Sequence, residues 1–169
     1  MNFLNNNSLP HVLAMQFLDE ARRGELWIPR DVSGDFAYAI AATIRGLPLQ
    51  DLNVHIDTDN GTASVWILAD ILIAHQGVTT ALIGEVAKSA GLILSVACQN
   101  RICRIDTEFL YHGSAYKSGA DDDRRKAKWF ASRTKMPEGF WLEKAIGGGD
   151  HIFGCDEAME WGVVTEISS

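Results

Sequence analysis

Short segments with strand-like patterning alternate along this sequence with segments whose apolar residues recur at helical spacing. In residues 52–57, Leu52, Val54 and Ile56 alternate with polar residues, as in a strand with one buried face. Strands are also predicted for residues 25–29, 78–83, 101–105 and 108–111. Helices are predicted for residues 34–45, 65–74, 92–97, 121–133, 138–146 and 156–161. Such alternation is typical of an α/β fold with a largely parallel sheet, in which functional loops gather at the carboxyl ends of strands.

The length of the chain bounds its domain organisation. It has 169 residues, the size of one ordinary domain, and it shows no internal repeat and no linker-like segment. We therefore interpret residues 1–169 as a single domain whose first 23 residues form an N-terminal arm.

Charge and cysteine content exclude several classes of partner. The formal net charge is -7 and the basic residues are scattered, which argues against a nucleic-acid surface. The three cysteines, Cys98, Cys103 and Cys155, lack metal-ligand spacing and are typical of reduced core thiols. The longest apolar run, residues 65–74, contains Asp70 and is too short to span a bilayer. The sequence thus predicts a cytoplasmic protein without a membrane segment or a metal site.

Two strand-to-helix loops are the candidate functional sites. Residues 59–61 (DNG) follow one predicted strand and residues 84–91 (GEVAKSAG) follow the next. Each leads into a helix N-terminus, where free N–H groups and the helix dipole favour an anion. Ser89 in the second loop fits either a helix N-cap or a nucleophile, with an oxyanion hole formed by the N–H groups of Ala90 and of the Asn60-Gly61 turn.

A nucleophilic serine needs a base, and His112 is the candidate among five histidines. It ends a predicted strand and is followed by the small residues Gly113, Ser114 and Ala115. The remaining histidines occupy settings more typical of structural residues: His11, His55, His75 and His151.

Several segments, in order, resemble the proteolytic subunit of the Clp protease, ClpP, within the wider ClpP/crotonase fold. Residues 78–91 (VTTALIGEVAKSAG) are similar to that family's strand, glycine and serine-x-glycine segment, and residues 101–112 (RICRIDTEFLYH) to the stretch that carries its catalytic histidine. Residues 57–61 (DTDNG) resemble its glycine-pair turn, and residues 153–164 (FGCDEAMEWGVV) its closing segment. The resemblance spans roughly residues 25–167 and implies repeated β-β-α units with a mostly parallel sheet.

The resemblance implies a serine peptidase that needs no cofactor. Ser89 is then the nucleophile and His112 the general base, while a peptide or unfolded-protein substrate lies as an added strand between two edges. Those edges are Thr62 and Ala63 on one side, and Ser114, Ala115 and Tyr116 on the other. The resemblance also implies a ring-shaped homo-oligomer and an AAA+ unfoldase as partner.

Three features depart from the family pattern. Asn60 stands where the family has the first turn glycine, and Asp59 replaces a proline. Counting without gaps places the family's catalytic aspartate at Ile146, so Asp150, after three glycines, is proposed as the third catalytic residue. The segment from Ser118 to Lys135 is short and strongly charged, which predicts a shortened handle helix.

Two alternative functions remain open at this stage. A catalytically impaired ClpP-like subunit of a mixed ring would account for Asn60 and Ile146. A crotonase-like acyl-CoA enzyme shares the backbone oxyanion hole, but the chain is short for its coenzyme pocket, and such an enzyme has no need of Ser89 beside a histidine.

Overall fold

The computed structural model describes residues 18–32, 34–113, 120–146 and 149–168. Residues 18–22 are helical. The strands are β1 (Glu25–Ile28), β2 (Asp31–Val32), β3 (Leu52–Thr58), β4 (Asn60–Gly61), β5 (Thr79–Lys88), β6 (Asn100–Arg104), β7 (Glu108–Tyr111), β8 (His151–Phe153) and β9 (Glu166–Ser168). The helices are α1 (Gly34–Arg45), α2 (Val65–Ala74), α3 (Ala90–Ala97), α4 (Ala120–Ala131), α5 (Glu138–Ile146) and α6 (Cys155–Glu160).

A mostly parallel sheet organises the domain, as the alternation of elements predicts. Its strands lie in the order β1-β3-β5-β6-β9, all parallel to their neighbours. Strand β7 pairs in parallel with the far end of β5, and β8 joins β7 in the antiparallel direction. The two-residue strands β2 and β4 form a separate small sheet. The predicted α/β class with a mostly parallel sheet is confirmed.

Strand β5 is longer than the sequence predicts, and this changes the setting of Ser89. The glycine at position 84 suggested that the strand ended there, but pairing continues to Lys88. At this point the register between β3 and β5 shifts, and Oδ1 of Asp57 accepts a hydrogen bond from Val86 N at 3.0 Å. Because a side chain satisfies the N–H group at the irregularity, the strand passes Gly84 and ends directly before Ser89.

The end of the chain also differs from the prediction. Helix α6 begins at Cys155, one residue before the predicted start, with Gly154 as its N-cap residue. Gly162 follows its end with φ +72°, a conformation that glycine adopts without strain. Strands β2, β4, β8 and β9 were not predicted from the sequence, since each has only two or three residues.

Helix α3 lies in the centre of the core and fixes the position of the loop before it. All eight of its residues are buried, and it packs against α2, β3 and β5. The single polar side chain in it, Ser95, donates to the carbonyl O of Gly91 at 2.8 Å. Full burial of each large apolar side chain, such as Leu92 or Leu94, contributes about 1.5–3 kcal/mol. Ser89 is therefore attached to one of the most firmly held elements of the fold.

Candidate active site

Ser89 occupies the bend between β5 and α3 in a strained backbone conformation. Its φ is +50° and its ψ is -102°, and among the described residues it is the only non-glycine residue with positive φ. Ser89 is the N-cap residue of α3 by position, but its side chain makes no capping hydrogen bond to the helix. Neighbouring elements hold the bend, since Ser89 N donates to Leu110 O at 3.1 Å and Ile93 N donates to Ser89 O at 3.2 Å. Such strain costs on the order of 1–3 kcal/mol and is typical of functional positions.

His112 lies directly beside Ser89. Its Nε2 is 2.7 Å from Ser89 Oγ, and its Nδ1 is 2.7 Å from the carbonyl O of Gly113. Because a carbonyl oxygen can only accept, the neutral ring carries its proton on Nδ1 and leaves Nε2 free to accept from the serine hydroxyl. This is the tautomer that a general base requires.

The antiparallel pairing of β7 with β8 bears on the role of Asp150. The last registered pair is Tyr111 with His151, and continuing the same register by one residue would set Asp150 opposite His112. Residues directly opposite in antiparallel strands have Cβ atoms about 4.5–5.5 Å apart. Ile146, which a count without gaps selects, is the last residue of α5, with a side chain 68% exposed. The register therefore favours Asp150 over Ile146 as the candidate third residue, although the carboxylates that line the cleft with His112 are those of Asp122 and Asp123.

Asp150 does not complete a hydrogen-bonded triad in this structure. It is exposed, and the Nδ1 position that a triad carboxylate would occupy is taken by Gly113 O. Of the three predicted catalytic residues, Ser89 and His112 are joined by a hydrogen bond, and Asp150 makes none with either.

Of the predicted oxyanion donors, Asn60, Gly61 and Ala90, the last two lie next to each other, while the Asn60 N–H donates to Arg30 O at 3.2 Å. Ala90 begins α3, so its N–H has no intrahelical partner. A Cβ added to Gly61 would be 2.6 Å from Ala90 Cβ and 2.9 Å from Val32 O, so only glycine fits at this position. The Gly61 N–H, however, donates to Oδ1 of Asn60 at 2.8 Å. Asn60 therefore occupies one of the two donors that an oxyanion would use.

Asp59 is held away from this site by an arginine. Its Oδ2 accepts from Nε of Arg30 at 2.7 Å, and the same guanidinium lies 3.9 Å from Asp57. The replacement of the family's proline by Asp59 therefore places no unpaired carboxylate beside the oxyanion donors.

Ser89 and His112 open into a cleft of about 680 Å³. Of the predicted substrate edges, Thr62 and Ala63 line it, and Thr62 Oγ1 shares a 2.7 Å hydrogen bond with Ser64 Oγ. Ser114, Ala115 and Tyr116 lie outside the described residues. The apolar wall includes Trp66, Ile93 and Trp129, and the two indole rings meet edge to face at 5.2 Å.

Sequence reasoning missed the contribution of α4 to this cleft. Lys126 lines the cleft, and its Nζ donates to the carbonyl O of His112 at 2.6 Å. Burial lowers the pKa of Lys126 to about 8, and the negative charge of Asp123 partly offsets that shift. From its sequence, this charged segment is predicted only as a shortened handle helix. The spacing of Asp123, Ala127 and Phe130, all buried, is the signal that marks one face of α4 as packed.

The other histidines in the described residues serve structural contacts. His55 Nε2 lies 2.6 Å from Glu25 and its ring stacks on Trp27, His75 Nε2 lies 2.7 Å from Gln50 O, and His151 Nε2 lies 2.8 Å from Lys144 Nζ. The pKa of His151 is lowered, first by burial and then by the adjacent Lys144. His11 lies outside the described residues.

No group of three or more His, Cys, Asp or Glu in the described part of the chain lies close enough to hold a metal ion. None of the helices in that part is both long and apolar enough to cross a membrane.

Comparison with known proteins identifies the fold. No protein-family model and no curated protein matches the sequence. By contrast, 599 chains of solved structures are similar. One is a mutant of ClpP1 from Listeria monocytogenes, with a TM-score of 0.79 and 16% identity, covering 93% of this chain and 96% of that chain. The chain therefore has a ClpP-like fold.

Proposed function

We propose that this chain is a serine-type endopeptidase that acts within a ClpP-like oligomer. The observation that carries the proposal is the 2.7 Å hydrogen bond between Ser89 Oγ and His112 Nε2, at a serine held in a strained conformation. Strand-to-helix bends of this kind expose a nucleophile beside the free N–H groups of a helix start.

The geometry supports acyl transfer in the usual order of steps. Ser89 Oγ attacks the peptide carbonyl carbon while His112 Nε2 takes its proton, and the N–H groups of Ala90 and Gly61 stabilise the developing oxyanion. The imidazolium then protonates the leaving amine. Water, deprotonated by His112, releases the second product from the acyl-enzyme. In this proposal Asp150, the residue before β8, stabilises the imidazolium once it forms, and the pairing of Tyr111 with His151 supports that role.

In this proposal the peptide lies as an added strand along the cleft, with Thr62 and Ala63 at one edge. The resemblance in sequence implies residues 114–116 for the other edge. We propose that several copies of the chain form a ring, so that the sites face an enclosed chamber. An AAA+ unfoldase would supply unfolded protein to it. These assignments depend on the ClpP-like fold and on the resemblance in sequence.

Hydrolysis of an internally quenched peptide library tests the proposal. We expect cleavage by the wild-type oligomer, and a loss on the order of 10⁶-fold in kcat for Ser89→Ala. Ser132→Ala, which changes an exposed serine at the end of α4, is the matched control and should cleave at the wild-type rate. Cleavage that survives in Ser89→Ala would refute the assigned nucleophile.

One observation favours a second candidate, a catalytically impaired subunit of a mixed ring. The Asn60 side chain occupies the Gly61 N–H, where an oxyanion would bind. For such a subunit, the purified chain would assemble but cleave no peptide, and Asn60→Gly would restore cleavage.

A further inference from the structure

Lys126 connects helix α4 to the end of the strand that carries the catalytic histidine. Its ammonium donates to His112 O at 2.6 Å and lies 4.6 Å from the centre of the Tyr111 ring. Two successive residues of the β7 end thus contact one side chain of α4. An ammonium that is only partly exposed and donates to a carbonyl makes a strong, charge-assisted hydrogen bond.

The imidazole bonds to the chain directly after the peptide that Lys126 contacts. Lys126 donates to the carbonyl of His112, and the carbonyl that fixes the His112 tautomer is that of the next residue, Gly113. Gly113 is itself packed against α5, because an added Cβ would overlap the carbonyl O of Ala145. The His112-Gly113 peptide therefore lies between α4 and α5, next to the ring whose Nε2 is 2.7 Å from Ser89 Oγ.

Other charged groups lie near Lys126, but none of them makes its hydrogen bond to His112 O. Asp123 is buried one turn earlier on α4, and Arg125 and Asp122 form an exposed ion pair on the same helix. Lys88 and Glu108 pair with each other on β5 and β7. Among the hydrogen bonds of the described residues, the one from Lys126 is the only one that a side chain makes to His112 O.

We propose that Lys126 is a positioning residue, which holds the His112-Gly113 peptide from α4 and so keeps Nε2 of His112 directed at Ser89. This inference rests on the proposed peptidase function. It adds that α4, short and highly charged, is part of the active-site support.

The test compares Lys126→Met, which keeps the aliphatic stem and loses the donor, with Lys126→Arg, which restores a cationic donor. Lys128→Met removes an exposed lysine from the same helix and is the matched control. The first readout is the ¹⁵N chemical shifts of the His112 ring at neutral pH, which report the nitrogen that carries the proton and need no activity. The second is the rate of Ser89 labelling by a fluorophosphonate, separated into its binding and reaction constants.

We expect a single Nδ1–H tautomer in the wild type and in Lys128→Met, and a mixture of tautomers in Lys126→Met. The reaction constant should fall about tenfold in Lys126→Met with an unchanged binding constant, and recover in part in Lys126→Arg. Identical ring shifts in Lys126→Met and Lys128→Met would overturn the inference. If Lys126→Met does not fold, the test falls to Lys126→Arg. A folded Lys126→Arg whose ring shifts show no defined tautomer would then overturn the inference as well.

The two proposals fail in different ways. If the wild type is not labelled but the ring shifts change as expected, the positioning role stands and the peptidase function falls. If labelling at Ser89 is fast and Lys126→Met leaves both readouts unchanged, the peptidase function stands and the positioning role falls.

Discussion

The backbone at Ser89 is the most informative single position in this chain. Spacing within the sequence suffices to propose Ser89 and His112 as a pair, because a small-residue bend and a strand-terminal histidine are both visible in it. It does not reveal φ +50° at a serine, which depends on contacts from Leu110 and Ile93. Strain of this kind is maintained by the surrounding fold and not by local preference.

Replacement of Ser89 by glycine should therefore stabilise the protein. Glycine adopts positive φ without the clash that a Cβ suffers, so we expect Ser89→Gly to raise the free energy of unfolding by about 1 kcal/mol relative to Ser89→Ala. Urea denaturation of the two variants measures this difference. Both lack the hydroxyl, so lost function does not enter the comparison. Equal stability of the two variants would mean that the bend is not strained.

Asn60 provides a second test at the residue scale. Its Oδ1 accepts the Gly61 N–H in the structure, which an oxyanion must displace. We expect Asn60→Gly to accelerate fluorophosphonate labelling of Ser89 several-fold, because the donor is then free. Asn100→Gly, which changes an exposed asparagine of β6, serves as the control. Slower labelling in Asn60→Gly would show that the Asn60 side chain helps the reaction.

At the scale of elements, the apolar helices were predicted well and the irregular strands were not. Helices α1, α2 and α5 have the predicted bounds, since their apolar spacing and end signals are local. Strand β5 continues beyond Gly84 because Asp57, 29 positions from Val86, satisfies its backbone. Contacts between residues so far apart leave no local pattern in the sequence. This is why the loop predicted for residues 84–91 is wrong over residues 84–88, which belong to β5.

Strand β8 likewise depends on a contact between residues far apart in the sequence, and its pairing leads to a prediction about catalysis. Continuing its register with β7 by one residue would set Asp150 opposite His112, while Ile146 lies exposed at the end of α5. We expect Asp150→Ala to lower kcat for peptide cleavage, by up to about 10⁴-fold, the loss that follows removal of a triad aspartate. Ile146→Ala should leave kcat unchanged. A reduction in Ile146→Ala alone would favour the gapless count over the strand register.

For the whole molecule, the alternation of elements was enough to predict a mostly parallel sheet, and the ordered motifs were enough to predict the ClpP-like fold. The order of the strands and the antiparallel addition of β8 depend on tertiary pairing, as do the cleft walls contributed by α2 and α4. Trp66, Trp129 and Lys126 were therefore not assigned to the site from sequence, because helical spacing alone does not show which surface a helix meets.

The buried thiols predict how the stability of the whole chain responds to alkaline pH. Burial raises the pKa of Cys98 to about 12 and that of Cys103 to about 11, above the ordinary value of 9.0. The folded state retains these protons to a higher pH than the unfolded state does. Stability that is present below pH 9 is therefore lost as the pH rises toward the pKa values of the folded state. Burial likewise raises the pKa of Tyr111, while Lys126, whose pKa is lowered to about 8, acts in the opposite direction with one proton against three.

We expect the free energy of unfolding to fall between pH 9.5 and 10.5, where each thiol contributes up to about 1.4 kcal/mol per pH unit. Denaturant titrations under reducing conditions measure the slope. Cys98→Ala should make this slope shallower by the contribution of about one proton. A slope that this substitution leaves unchanged would contradict the burial of an unionised thiol at this position.

The most direct test of the central claim is to label the purified protein with a fluorophosphonate and to map the modified residue by mass spectrometry. The account predicts one modification, at Ser89, that is absent in Ser89→Ala and strongly slowed in His112→Ala, while Ser132→Ala is labelled like the wild type. A folded, oligomeric wild-type sample that stays unlabelled, or labelling at Ser89 that does not depend on His112, would contradict it.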